Sequence, residues 1–482
     1  MSALTSRRLL PAPGRDALVF GALAAGAVVF GALVATKPLF ALAIPALFAA
    51  VAFAWLAPVA NFTLLLFLTA IVPYGIQNRF GLGGGQGVPG LLASDLVLIL
   101  GMLRAVVMLA RVTLDRRSRI VCAALAGFLA VGALQAVHGL MEGAGMSDVG
   151  AEYRVFLVLG GAALIALPLL LDPDSRQRLL RGLAFLGLAL GAWAAIQWTV
   201  DIPFAEAGDA GVREGILQTS EGRGQIQGGL FSFPVATILA AAALVSGGLR
   251  SRLARTTALV VLLANLAGLL LTYERTFWVA TFIGLMLVVA GSSGRARVRA
   301  LFWGPLAIVV FFSVMSTVAP DTLGAARERL LSLGDYQSDN SLRYRITESR
   351  HVVEEIKARP WVGSGLAASI YWGRPYEGVP PEENTFAHNG YLWIAWKLGL
   401  IGAVLLFGAM LFVLIGRAPP ASSPLTASLR MGARAGLLTL LLSSVTFPSF
   451  TQLSSAPVLG LLLALAVVPM RSRYEAGAPA GG

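Results

Sequence analysis

One histidine, His388, stands in Thr385-Phe386-Ala387-His388-Asn389-Gly390-Tyr391-Leu392, where a long polar stretch gives way directly to an apolar run. Imidazole titrates near neutral pH, so a histidine at such a boundary can take a proton from a sugar hydroxyl as that oxygen attacks an anomeric carbon. Taken alone, an interfacial histidine is more often structural. Arg275, in Leu271-Thr272-Tyr273-Glu274-Arg275-Thr276-Phe277-Trp278, sits between two apolar stretches with almost no loop to separate them. Arg223 ends the polar stretch 201–225 and precedes Gln225-Ile226-Gln227-Gly228-Gly229-Leu230-Phe231-Ser232-Phe233-Pro234, and Arg154 opens a further apolar run. A guanidinium keeps its charge and forks onto two phosphate oxygens, so several at one membrane face suit a diphosphate. The glycine-rich entry after Arg223 would let backbone N–H groups face the same anion. The competing account is that each arginine only pairs with Glu152, Glu274 or a lipid headgroup.

The elements that must position these residues are membrane spans. Of 482 residues 57% are hydrophobic and 13% charged, which excludes a soluble globule. A spanning helix needs about 20 apolar residues, and about fourteen such segments recur. They are 17–35, 39–57, 60–76, 89–110, 120–140, 152–171, 179–199, 226–247, 256–272, 276–290, 301–319, 389–414, 431–449 and 454–469. The net charge of +12 does not point to nucleic acid, because most arginines sit in short clusters between spans rather than on one patch. Arg7, Arg8 and Arg15, the group Arg111 to Arg119, Arg176 to Arg181, Arg250 to Arg255, Arg295 to Arg299, Arg417 with Arg430, and Arg471 with Arg473 fall on one side. By the positive-inside rule that side is cytoplasmic, with both termini inside and the 320–388 loop outside. Arg7-Arg8 before an apolar run resembles an export signal, but residues 31–40 offer a weak cleavage site, so a retained first span is expected. The single cysteine, Cys122, lies in an apolar segment and allows no intramolecular disulfide.

Neither a repeat nor a pair of matching interrupted segments is evident. The chain divides into an N-terminal membrane bundle (1–319), an extracytoplasmic loop (320–388), and C-terminal spans with a cytoplasmic tail (389–482). Within the loop, Leu342, Ile346, Val353 and Ile356 recur at helical spacing, which predicts an amphipathic helix over the outer mouth of the bundle, ended by Pro360, Gly363 and Gly365. Residues 371–385 carry Gly373, Pro375, Gly378, Pro380 and Pro381 and predict an irregular lip. Asp95 and Lys397 are deeper charges, each costing about 2.5–3.5 kcal/mol to insert. Asp95 is expected near the outer end of its span and Lys397 beside a partner in the bundle, whereas a transporter would use the two as a coupling pair. His351 with Glu354 and Glu355 reads as a solvated helix face rather than a metal site. Gly81-Leu82-Gly83-Gly84-Gly85-Gln86-Gly87 lacks the Gly-Lys-Ser/Thr of a phosphate loop and reads as an outer loop.

The segment Asp339-Asn340-Ser341-Leu342-Arg343, then Pro360-Trp361-Val362-Gly363-Ser364-Gly365, His388-Asn389-Gly390-Tyr391 and Gly399-Leu400-Ile401-Gly402 resembles the O-antigen ligase and polymerase family. The likeness implies an all-α, GT-C-like membrane bundle that moves a glycan from a polyprenyl (undecaprenyl) diphosphate to an acceptor hydroxyl on the outer face of the cytoplasmic membrane. It implies inversion, no cofactor and no metal. It makes His388 the base and Arg275 a diphosphate ligand, with Arg223 or Arg213 as a second; Arg154 remains a candidate ligand from its place at the head of an apolar run alone. Arg343, Asn389 and Tyr391 would touch substrate or order the loop. The partners implied are the lipid-linked donor, a glycan or lipid-linked acceptor, membrane lipid, and a flippase or chain-length regulator, but no nucleic acid. A multi-span transporter or lipid-linked glycan flippase is the alternative from another class.

Overall fold

The computed structural model describes residues 48–72, 90–199, 229–318, 340–374, 379–418 and 423–469, together with a few single positions between them. The expected spans 17–35 and most of 39–57, and the outer loops 201–225 and 81–87, therefore lie outside the described residues. Residues 1–57 and 58–482 are separate units. In the first, Phe48–Leu56 is helical (α1). The second opens with α2 (Pro58–Ala70), α3 (Ala93–Leu109), α4 (Arg116–Met141), α5 (Met146–Leu171) and α6 (Pro173–Thr199). It continues with α7 (Ser232–Val245), α8 (Arg252–Leu271), α9 (Arg275–Ala290), α10 (Gly294–Val318) and α11 (Asn340–Ala358). After the strands β1 (Ile370–Arg374) and β2 (Val379–Asn384) come α12 (Gly390–Ile415), α13 (Pro424–Ser443) and α14 (Ala456–Val467).

Polar side chains set where several of these helices begin. Asp115 accepts from Arg117 N and Ser118 N at the start of α4, and Ser251 accepts from Ala254 N at the start of α8. Ser423 accepts from Thr426 N ahead of Pro424, whose fixed φ suits the first turn of α13. Inside, α5 and α14 form the centre of the second unit. Every residue of α14 is buried, and it lies so close to α5 that a Cβ on Gly460 would come 2.4 Å from the Leu159 carbonyl oxygen. Amide and hydroxyl groups join other pairs: Asn265 Nδ2 donates to Gly187 O at 2.8 Å, and Thr439 Oγ1 to Ala280 O at 3.0 Å. Such bonds matter between apolar helices, where lipid is as apolar as leucine and hydrophobic burial discriminates little. Leu103, Val106, Leu134, Phe185, Phe282 and Val404 point outward, as a bilayer-facing surface requires.

Each expected span from 60–76 onward coincides with a helix, but the described residues do not contain fourteen full spans. Six helices, α4, α5, α6, α8, α12 and α13, are long and apolar enough to cross a membrane. α7, α9 and α14 are apolar but have 14, 16 and 12 residues. At 1.5 Å per residue these fall short of a hydrocarbon layer about 30 Å thick. Hydropathy counts apolar residues in turns as though they extended a helix, which overstates span length.

A second correction concerns the outer loop. Its helix is present as α11 and packs on α12 and β1. Residues 371–385, expected to be irregular, instead supply most of an antiparallel hairpin, with Ile370 opposite Asn384, Tyr371 opposite Glu383, Trp372 opposite Glu382, and a register shift before Arg374 pairs with Val379. The helical fold thus carries one two-stranded sheet among the described residues. Prolines argue against a central strand, but Pro380 and Pro381 fall in the register shift between the Glu382 and Val379 pairings of an edge strand, where they replace no paired position.

Candidate active site

α12 is broken at Gly399, which has φ 66° and ψ −179°. A broken helix leaves carbonyls and N–H groups without partners, and in a bilayer each must be met inside the protein. The outer-loop segment after α11 meets them. Ser364 N donates to Trp396 O at 2.8 Å and Gly365 N to Lys397 O at 3.2 Å, while Leu400 N donates to Pro360 O at 2.8 Å. The fit leaves no room for side chains: a Cβ on Gly363 would lie 2.4 Å from Gly399 N, and one on Gly399 would lie 2.2 Å from Trp361 O. Two stretches far apart in sequence, Pro360–Gly365 and Gly399–Gly402, are therefore one joint.

Beside the joint is Lys397, fully buried. Its ammonium lies 3.1 Å from Glu152 Oε1, donates to Ala368 O, and stands 4.2 Å from the centre of the Trp396 ring. The other Glu152 oxygen accepts from Ala367 N at 2.7 Å, and Leu366 N donates to Gln135 O. The loop is thereby fastened to α4, α5 and α12 together. Lys397 has the bundle partner expected of it, whereas Asp95 pairs with Arg154 at 3.1 Å. The two deep charges belong to separate ion pairs and do not form a couple.

The half-helix Gly390–Leu398 presents His388 at its head. Asn389 caps it, its Oδ1 accepting from Tyr391 N and Leu392 N at 3.1 Å each. His388 is 4% exposed. Its backbone N–H donates to Glu348 Oε2 at 2.7 Å, and its ring Nδ1 lies 3.1 Å from Glu348 Oε1 and 3.2 Å from Oε2. Tyr344 and Phe386 stand edge-on to the imidazole at 5.5 and 5.1 Å. Nδ1 is thus the ring nitrogen that Glu348 holds.

Glu348 is the residue that sequence reasoning missed. The apolar face inferred from Leu342, Ile346, Val353 and Ile356 leaves Ile346 45% exposed, whereas Glu348 and Val352 are buried at 1% and 0%. Tyr344, Glu348 and Val352 follow at i, i+4 and i+8, so the inward face was legible only to a reading that admits a carboxylate on it. His351 is exposed, bonded to Thr347 O and stacked on Trp372, in keeping with a solvated face.

Arg275 is the first residue of α9, half-buried, directly after a turn in which Tyr273 adopts φ 53°. Its neighbour Thr276 shares a 2.8 Å hydrogen bond with Thr446, and Phe231, Phe277 and Phe447 cluster behind it. Two residues before Thr446, the Ser444 carbonyl accepts from Gly390 N at 2.8 Å. The turn after α13 thus joins the head of α9 to the head of α12, and brings Arg275 and His388 to the same end of the bundle.

Other expected site residues have different surroundings. Arg154 is held by Asp95, not by Glu152, and donates to Gly90 O at 2.7 Å. Tyr391 OH donates to Leu441 O, and its ring packs on Phe407 and Phe450, so together with the Asn389 cap it orders the head of α12. Arg343 is exposed on α11. Arg213 and Arg223 lie outside the described residues.

No curated protein matches this chain. Residues 258–407, from α8 through α9, α10 and the outer loop into α12, match the model of the O-antigen ligase family, and this stretch, which holds Arg275, Glu348, His388 and the Gly399 joint, is what makes the chain similar to that family.

Proposed function

We propose that the chain is a glycosyltransferase that moves a glycan from a polyprenyl diphosphate to an acceptor hydroxyl at the outer face of the cytoplasmic membrane. The observation that carries this reading is His388, held by Glu348 at the head of a half-helix and joined through Ser444 and Thr446 to the helix that Arg275 opens. His388 Nε2 takes the acceptor proton as its oxygen attacks the anomeric carbon. The bond from that carbon to the diphosphate oxygen breaks, and its electron pair leaves with the diphosphate. Attack from the side opposite the leaving group inverts the anomeric centre.

Arg275 neutralises the leaving diphosphate, helped by the positive end of α9, whose first residue it is. Arg223, or Arg213 in the same loop, is the second phosphate ligand. Arg154, held by Asp95 and the Gly90 carbonyl, is a further candidate ligand. The glycosyl–diphosphate bond already holds the driving energy, so the reaction needs no nucleotide and, in this reading, no metal. A flippase would supply the donor from the cytoplasmic side, where both termini lie.

The test incubates the purified protein, in chelator, with a polyprenyl-diphosphate oligosaccharide and a panel of acceptors, and follows products by mass spectrometry. Release of polyprenyl diphosphate with a new glycosidic bond is expected. Donor that stays unchanged, with transport of it across sealed vesicles, would replace transfer by translocation.

A further inference from the structure

We propose that Glu348 is the positioning residue of His388, fixing the proton on Nδ1 so that Nε2 keeps its lone pair for the acceptor hydroxyl. This rests on the reading of His388 as the base. Glu348 reaches across from α11, 40 residues away in sequence, and both side chains are almost wholly buried, at 6% exposure for His388 and 2% for Glu348. The carboxylate makes three contacts with one residue: the backbone N–H at 2.7 Å and Nδ1 at 3.1 and 3.2 Å. A backbone N–H only donates, and an ionised carboxylate only accepts. Nδ1 is therefore the donor, and the acceptor lone pair of the neutral ring lies on Nε2.

Tyr344, from the same helix, and Phe386 meet the ring edge-on and keep its plane fixed. Glu348 and Tyr344 from α11 are titratable groups that face the ring, and the Ser444 side offers a carbonyl to Gly390. When Nε2 takes the acceptor proton, the imidazolium formed lies against the carboxylate, which stabilises it. The acceptor oxygen bonds to the anomeric carbon, and the electron pair of the broken bond leaves on the diphosphate. Glu348 touches none of the reacting atoms.

The competing account is that Glu348 only pins α11 to the head of α12 through the His388 N–H. Glu348→Gln separates the two. Its amide oxygen can still accept from that N–H, so the pin survives, while its NH2 group donates to Nδ1 and drives the proton onto Nε2. A folded Glu348→Gln protein should lose about 100-fold or more in kcat with the donor KM little changed, as removal of correctly poised base catalysis does. The acid limb of its pH–rate profile should move to lower pH, because the imidazolium has lost its counter-charge; a pin alone would not move it.

Both variants are assayed together. Wild-type transfer by His388→Ala would remove the base and with it the reading this inference rests on. An inactive His388→Ala beside a Glu348→Gln of wild-type kcat and unmoved pH profile would overturn the role of Glu348 alone. If Glu348→Gln does not fold, the nitrogen-15 spectrum of protein with His138→Gln and His351→Gln decides. Protonated Nδ1 in neutral His388 supports the inference, and protonated Nε2 overturns it.

Discussion

Lys397 illustrates how a charge is made tolerable in the interior of a membrane protein. Its ammonium has a carboxylate, a carbonyl and an indole face around it, and the same carboxylate holds the Ala367 N–H. Removing one member leaves the other charge buried and uncompensated. Lys397→Met should therefore destabilise the fold by about 3–5 kcal/mol, whereas Lys397→Met with Glu152→Gln, which keeps an acceptor for Ala367, should recover much of the loss. Thermal unfolding in detergent measures both, and equal loss in single and double variants would refute the pairing account. At the same scale, His388→Ala should lower transfer by about 100-fold or more in folded protein, read as polyprenyl diphosphate released. Arg275→Lys should behave like Arg275→Ala, because an ammonium does not fork onto two phosphate oxygens; full rescue by lysine would argue against a bidentate contact. Of these residues His388 and Arg275 stood out in the sequence by their settings. Glu348 did not, because a glutamate on an amphipathic outer helix looks solvated until the helix is seen to lie against the His388 loop.

Among the elements, the joint between the outer loop and α12 decides where His388 stands. The loop supplies donors and acceptors to four backbone groups flanking the break, those of Trp396, Lys397, Leu400 and Ile401, and glycine is required on both sides for the close approach. Gly399 also holds φ 66°, a region that side chains rarely adopt. Gly399→Ala should cost more than the roughly 1–3 kcal/mol of an alanine forced into this glycine-only backbone region, since its Cβ would also strike the Trp361 carbonyl. It should free the loop. Limited proteolysis between α11 and β1 should speed up markedly, and unchanged protection would show that the joint does not hold the loop. The sequence displayed both glycine motifs, and a family likeness marked them, but nothing in either motif says that one plugs the other.

For the whole molecule, the arginine clusters predict that the His388 end faces outward and both termini face the cytoplasm. In a Cys122→Ser background, Tyr371→Cys should react with a membrane-impermeant maleimide in intact cells, and Arg295→Cys only after permeabilisation. The reverse pattern would invert the map. The helical, membrane-embedded character and the place of each helix from α2 onward were legible in sequence, because the bilayer imposes apolar runs whatever their neighbours. Which helices are full spans was less so, since α7, α9 and α14 owe their apolar character partly to burial against other helices. The hairpin was hidden by its prolines, which an edge strand accepts.

By itself the sequence determined the solvent: composition and span spacing dictate a polytopic membrane chain, and short motifs mark a histidine and an arginine at its interface. Only the tertiary structure decided the partners. Glu348 with His388, Glu152 with Lys397, Asp95 with Arg154, and the loop with the broken helix join residues tens to hundreds of positions apart. The reason is physical. Local sequence sets hydropathy and helical period, whereas a buried polar group is satisfied by whichever donor or acceptor the packing brings within about 3 Å.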